Sequence, residues 1–531
     1  MSNTGRRRAR IAFAVLAIVA TTATACSSSS KSSSSNGTGS SSSSSDVDPN
    51  GVIKVGYDLI QTPGAQVLGD PATAPALGTS EDALFFLIYG RFMRANADGT
   101  LTPQLAKSAT VVDKNTIDIV LRDGLTFSDG TPLDGAAVKA SLERILPTKN
   151  IAAYQQQFFS LKSVDVVSPT EVKLNIPDGS AGSWYDLYIA SWHTTITKPG
   201  ETNWDKPVGA GPMTITSWAK GQKLVLAKNP KYFDAKSIKV AGMEFIHIDN
   251  ASPQSGMAAL RAGQIDETFT DASQLASVTG NLKTYSRISG NATISLHICK
   301  RSGPLANEKV RVALNKAIDR NAINKAVFAG TGQPSTELWP TGHEFNDPSL
   351  DKFLSYDVAA AKKLLQEAGY ANGFSVDVYP IQFTGIPETA EVLKQEWAAI
   401  GVTANIKSTT NYVGDFLQPQ VDGIGIFPGN SIGVQKMNAY TGDGLGNVCR
   451  WRDQSITDLT AKIAAISKTD PQAKTLWYEA EKKVVTGALS GFVLFSAQLG
   501  AYNSARLGNM KSVFLGQYVV PDPTFTYVKK Q

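Results

Sequence analysis

Apolar and polar residues alternate with period two in several short runs, which is the pattern of a strand with one buried face. Gly51–Tyr57 (GVIKVGY), Glu171–Ile176, Lys223–Ala227, Gly242–Ile248 and Val402–Ile406 are read as strands on this ground. Ala109–Leu121 reads as a hairpin that turns at Lys114-Asn115. Elsewhere apolar residues recur every three or four positions, the spacing of a helix with one buried stripe. Asp134–Leu146 opens on an acid and carries Val138, Leu142 and Ile145 at that spacing. Asp82–Arg94, rich in Leu, Phe, Ile and Tyr, predicts a buried helix. Further helices are predicted over Gln254–Ala262, Asn307–Phe328, Val358–Ala368, Thr389–Ile400, Leu459–Ser467 and Gln472–Thr486. Gly263, Gly369 and Gly401 stop three of them, since glycine readily takes the left-handed turn that ends a helix. Phe492–Ala497 and Ser512–Val519 are late strands. Strands and helices mix without a fixed repeat, so the body is α/β or α+β in several lobes.

The first residues follow another pattern. Arg6–Arg10 is a positive stretch, Ile11–Ala20 is apolar and Thr21–Ala25 is small. The apolar run is too short for a membrane span and reads as a signal peptide over residues 1–25. Its ending, Ala23-Thr24-Ala25-Cys26, resembles a bacterial lipobox, with Ala23 standing where that pattern prefers Leu. The resemblance implies that Cys26 is the lipid attachment site and the new N-terminus. The competing reading is plain cleavage after an Ala-x-Ala-like site, with Cys26 incidental. Ser27–Ser45 contains 14 Ser in 19 residues and no apolar group to bury. Such a segment cannot offset its ordering entropy, so residues 26–50 are read as a tether with a reach of about 25 Å.

Length and charge narrow the class. A chain of 531 residues exceeds one ordinary core, and two or three lobes are expected. The formal charge of +5 comes mainly from the signal segment, which leaves 47 basic against 46 acidic residues in the remainder. A body so nearly neutral gives no electrostatic reason for a nucleic-acid partner. After Cys26 only Cys299 and Cys449 remain. In an exported chain they either form a disulfide or stay as two buried thiols. No Cys-x-x-Cys is present, so neither a redox motif nor a zinc knuckle is indicated, and the four His show no metal-binding spacing.

Gly429-Asn430-Ser431-Ile432-Gly433 matches the G-x-S-x-G elbow of serine hydrolases. The hydrolase order places its His after the Ser, yet His193, His247, His297 and His343 all precede Ser431. A loop is the better reading, and a secreted hydrolase using Ser431 is the alternative. His247 and His297 alternate with apolar neighbours and read as strand residues, and Trp397 reads as core. Arg122 is expected to pair with its neighbour Asp123, and Gly209, Gly211 and Pro212 to form a tight turn before strand Met213–Trp218.

Five blocks in order carry a family resemblance. Val120–Leu133 (VLRDGLTFSDGTPL), preceded by Leu101–Leu105, resembles a signature of the extracellular solute-binding proteins, family 5, the peptide- and nickel-binding receptors of ABC importers. Gly135 and Ala137 depart from its usual residues. Pro207–Met213 (PVGAGPM), Asn229–Phe233 (NPKYF), Ala258–Asp266 (AALRAGQID) and Lys309–Ala329 (KVRVALNKAIDRNAINKAVFA) match further blocks, and Ala359–Gly373 ends in the family form. The resemblance spans about residues 51–531.

What it implies is a two-lobed α/β periplasmic-binding fold of type II, cluster C, with an extra inserted domain. Lobe I is expected over 51–77, 187–285 and 495–531, the insert over 78–186, and lobe II over 286–494. The implied function is a monomeric, membrane-anchored receptor on the outer face of the cytoplasmic membrane. It would capture oligopeptides or a related solute by lobe closure and deliver them to an ABC permease, with no enzymatic step, cofactor or metal. Peptide binders of the family place an Asp after a Trp to pair with the α-ammonium. Here Phe427 falls at the Trp place and Asn430 at the Asp place, so no carboxylate stands there. The ligand is then a blocked peptide, a non-peptide solute such as a nickel chelate or oligosaccharide, or a peptide anchored elsewhere, for example by Asp415 or Asp422. Tyr57, Trp192, Trp339, Phe427 and Asn430 are the expected pocket residues, and core packing is the competing reading for each aromatic.

Overall fold

The computed structural model describes residues 46–59, 69–71, 81–96, 100–146, 160–249, 253–299, 302–409, 411–417, 422–430, 433–441, 447–515 and 518–531. The signal segment, Cys26, nearly all of the tether and Ser431 lie outside them.

β1 (Val52–Tyr57) keeps its alternation, with Ile53, Val55 and Tyr57 directed into a core. α1 (Glu81–Tyr89) is apolar on every side and is buried on every side, as such a helix must be. It ends before the expected Arg94 because Gly90 turns left-handed at φ 71°. β2 (Ala106–Asp113) and β3 (Thr116–Leu121) form the hairpin read from the sequence. α2 (Gly135–Ile145) is capped by Asp134, whose carboxylate accepts the Ala137 N–H at 2.9 Å. β4 (Ser163–Ser168) and β5 (Glu171–Asn175) complete an antiparallel sheet in the order β2-β3-β5-β4. α3 (Ala181–Tyr188) and a short helical turn at Trp192–Thr194 follow. Trp184, Leu187 and Tyr188 go to one side of that helix and fill the core of the insert.

β6 (Met213–Ala219), β7 (Lys223–Lys228), β8 (Gly242–His247), α4 (Pro253–Arg261) and β9 (Glu267–Thr270) build the rest of the first lobe. β10 (Leu282–Cys299) leads into the second lobe, which holds α5 (Glu308–Lys316), α6 (Arg320–Val327), α7 (Val358–Glu367), β11 (Phe374–Pro380), α8 (Ile386–Ala398), β12 (Val402–Ile406) and β13 (Gly423–Asn430). α9 (Gln454–Ala465), α10 (Ala473–Thr486) and β14 (Ser490–Asn503) follow.

The large sheet runs β12-β11-β13-β10-β14-β9-β1-β8-β7-β6. β10 and β14 belong to both lobes. Leu282–Ile288 pairs with Ala497–Asn503 in the first, and Thr293–His297 pairs with Ser490–Phe495 in the second. The register breaks between Ile288 and Thr293, where one lobe gives way to the other. Separate cores lie on either side. Ile53, Phe245 and α1 fill the first lobe, and Ile294, Val378 and Trp397 fill the second. α1 packs in the core that holds Ile53 and Phe245, and a separate core begins at Phe92 and extends to Ile196 and Ala210.

Other departures have local causes. The helix expected over Asn307–Phe328 breaks into α5 and α6, because Asp319 caps the second by accepting the Ala322 N–H at 2.9 Å. The flanking arginines stitch backbone carbonyls: Arg311 donates to Gly487 O at 2.8 Å and Arg320 to Phe492 O at 2.6 Å. Ser512–Val519 is a hairpin of Ser512–Leu515 and Tyr518–Pro521. Arg122 does not pair with Asp123. It donates to the Gln104 carbonyl and lies 4.6 Å over the Phe233 ring, while Asp123 pairs with Lys107. Cys299 and Cys449 are joined in a disulfide, with Cα atoms 4.5 Å apart across a separation of 150 residues.

Trp397 is fully buried, and its indole N–H donates to the Leu314 carbonyl at 3.0 Å, tying α8 to α5. Trp397→Ala is expected to cost about 3–5 kcal/mol through cavity formation and the orphaned carbonyl. Urea denaturation of the second-lobe transition reads this directly, and a loss under about 1 kcal/mol would refute it.

Candidate functional site

Strand alternation sorts β10 and β13 into two faces. Ile294, Leu296, Ile298, Ile424 and Ile426 face the helices of the second lobe. The opposite face carries Thr293, Ser295, His297 and Cys299 from β10, set against Gly429, Phe427, Gly425 and Gly423 of β13. Phe427 lies in the middle of this face. Tyr412 stacks on it at 5.7 Å, and the His297 ring tilts against it at 5.8 Å. Asn430 pairs with Ala292 beside the register break, so the strand end holding Phe427 and Asn430 lies where the lobes meet.

The remaining expected residues are dispersed. Trp339 is in the same aromatic cluster as Phe427 but is only 4% exposed, stacked on His343 at 4.2 Å and edge-on to Trp477. Tyr57 is 3% exposed in the first-lobe core, edge-on to Phe245 at 5.3 Å. Both rings are enclosed by core, the packing that was the competing reading for each. Trp192 is placed by its backbone in the turn after α3. Asp415 and Asp422 are exposed and accept hydrogen bonds from the hydroxyls of Thr409 and Ser302.

Charge is present near this face as an opposed pair. The Lys436 ammonium lies 4.7 Å from the Trp339 ring and 5.6 Å from the Phe495 ring. Burial pulls it down to about 7, against the attraction of Glu481. Burial pushes the Glu481 carboxyl up to about 7, although it accepts the N–H groups of Trp339 and Asp347. Burial also lowers His297 to about 4 and His343 to about 4, leaving both imidazoles neutral at pH 7. Sequence reasoning missed Lys436 and Glu481, for nothing in their spacing distinguishes them from surface charges. Among the described residues no group of three or more His, Cys, Asp or Glu could hold a metal ion.

The insert touches the second lobe close by. Gly182 of α3 lies so close to Ile466 that a Cβ there would collide with its backbone, and Leu187 meets Gly433. The Asp186 carboxylate accepts the Lys468 N–H at 2.6 Å and the Ser467 hydroxyl at 3.2 Å. Burial pushes Asp186 up to about 7, with Glu344 adding to the rise and Lys468 opposing it.

The family model for bacterial extracellular solute-binding proteins, family 5 Middle, matches residues 100–424, and the chain belongs to that family. The glutathione-binding protein GsiB of Escherichia coli strain K12 is 25% identical over 455 residues, 80% of this chain and 84% of its own. Among solved structures, the ABC transporter substrate-binding protein CtaP of Listeria monocytogenes aligns with a TM-score of 0.75 at 22% identity, over 91% of this chain and 100% of its own. NikA of Brucella suis, solved with Fe(III)-EDTA, gives 0.74 at 18% identity, over 89% and 100%. The fold is therefore the two-lobed α/β periplasmic-binding type with an inserted domain, and the protein is an extracytoplasmic binding protein rather than an enzyme. Among the described residues no helix is long and apolar enough to cross a membrane.

The raised Asp186 value sets the sign of a pH effect. A carboxyl held above its usual 3.8 favours the folded contact when protonated, so its contribution is full below about 4 and is lost as pH rises through about 7. Asp186→Asn is expected to raise the melting temperature near pH 8, with the gap closing toward pH 4, where both side chains are neutral. A gap that does not change with pH would contradict this account.

Proposed function

We propose that this chain is the lipid-anchored solute receptor of an ABC importer, closing two lobes over a short peptide or peptide-sized solute and presenting it to the permease. The observation that carries the proposal is the pair of strands shared by both lobes, with a register break between Ile288 and Thr293. A break at that point lets each half keep its own ladder while the lobes swing, which is how hinge closure works. Closure needs no bond made or broken. It requires only that the closed form gain contacts when ligand is present.

GsiB is named for glutathione, itself a peptide, which supports a ligand of that size. NikA with Fe(III)-EDTA indicates that this fold also encloses chelates of similar bulk. The lipobox-like Ala23–Cys26 and the serine tether support anchoring at Cys26, at the outer face of the cytoplasmic membrane, as a monomer.

Native mass spectrometry of the purified protein is expected to show a co-purifying small ligand. A thermal-shift series with glutathione and di- to tetrapeptides is expected to show saturable stabilisation, about 2.7 kcal/mol at a hundredfold excess over Kd. Ester or amide turnover abolished by Ser431→Ala would overturn the receptor reading. Cys26→Ala is expected to move the protein from the membrane fraction to the soluble fraction. Retention on the membrane would refute anchoring through that residue.

A further inference from the structure

Thr293 and Ser295 are 8% and 7% exposed, and among the described residues neither hydroxyl has a hydrogen-bond partner. Two positions along the same face, His297 Nδ1 is buried without a partner among the described residues. So is the hydroxyl of Tyr412, a residue 4% exposed whose ring covers Phe427. Buried hydroxyls and imidazoles without partners are uncommon, because each forfeits its hydrogen bonds to water. Two such atoms, His297 Nδ1 and the Tyr412 hydroxyl, flank the Phe427 ring, and the Thr293 and Ser295 hydroxyls lie on the same face at the end of the second-lobe sheet that adjoins the first lobe.

The register explains how they come together. Thr293 stands opposite Gly429, Ser295 opposite Phe427 and His297 opposite Gly425. A methyl at Gly425 would collide with the Tyr412 hydroxyl, and one at Gly429 with Thr293 Oγ1. The glycines therefore leave the hydroxyls standing over bare backbone on either side of the Phe427 ring.

Resting on the receptor reading above, we infer that this strip binds an uncharged, amide-capped end of the ligand: Thr293 and Ser295 hydrogen-bond an acyl-amide group, and Phe427 packs against the acyl carbon. The groups available are neutral. Each hydroxyl can both donate and accept, which matches an amide N–H and C=O. The nearby charges are the opposed pair of Lys436 and Glu481 about Trp339, and the exposed Asp415, already engaged by Thr409. None of the residues on the strip is a carboxylate that could receive an α-ammonium. A free amino terminus placed there would lose its hydration without a counter-charge, whereas an acylated one loses little.

The test is isothermal titration of the full soluble chain with matched di- to tetrapeptides, each with a free and an N-acetylated terminus. The acetylated forms are expected to bind at least roughly tenfold more tightly. Ser295→Ala and Thr293→Ala should each weaken the acetylated forms roughly five- to tenfold while keeping the melting temperature of the unliganded protein. Ser295→Asp should reverse the preference toward free termini. Equal or tighter binding of free-amine peptides by the native protein would overturn the inference and leave the receptor standing. Binding of neither form would overturn the peptide reading itself, so the two failures are distinguishable. Retained discrimination in both alanine variants would also overturn the assignment to this strip.

Discussion

The structure depends on one hydrogen-bonded ladder, that of β10 and β14. These strands run antiparallel through both lobes, and each lobe assembles its own sheet on the half it receives. Every backbone N–H and C=O in a buried strand must find a partner, so neither lobe could part from these strands without orphaning a row of groups. The lobes are thereby held in one sheet while their side-chain cores remain separate. The shared ladder is interrupted between Ile288 and Thr293 and again between Ile294 and Ser295, and the first interruption falls between its two halves.

Around that ladder, buried arginines do work often assigned to ligand sites. Arg311 and Arg320 spend their guanidinium groups on the backbone carbonyls that precede and begin β14. Arg91 is buried against Asp82 and the Ala190 carbonyl, where α1 meets the insert. A guanidinium offers several donors in a fixed plane, so one residue can satisfy several orphaned carbonyls at a junction between elements. The sequence blocks that mark the family are thus mostly joints of the scaffold.

The face of β10 and β13 that carries Phe427 has an electrical character of its own. Thr293, Ser295 and His297 of β10 stand across from Gly429, Phe427 and Gly425 of β13, so the strip is built of hydroxyls, an imidazole held neutral by burial, an aromatic ring and glycine. Lys436 lies over the Trp339 and Phe495 rings, and Glu481 opposes it in charge.

Much of this was legible from local pattern. Alternation located β1, β7, β8 and β12, and the helical period located α2, α4, α7 and α10. Such runs are decided by which face is buried, and that is written into neighbouring residues. Contacts between residues far apart in the chain could not be read this way. Whether Trp339 lines a wall or fills a core turns on Trp477 and His343, and whether Asp186 is a surface charge or a joint turns on Lys468. Burial of those groups, and with it their energetics, depends on segments brought together only when both lobes and the insert have packed.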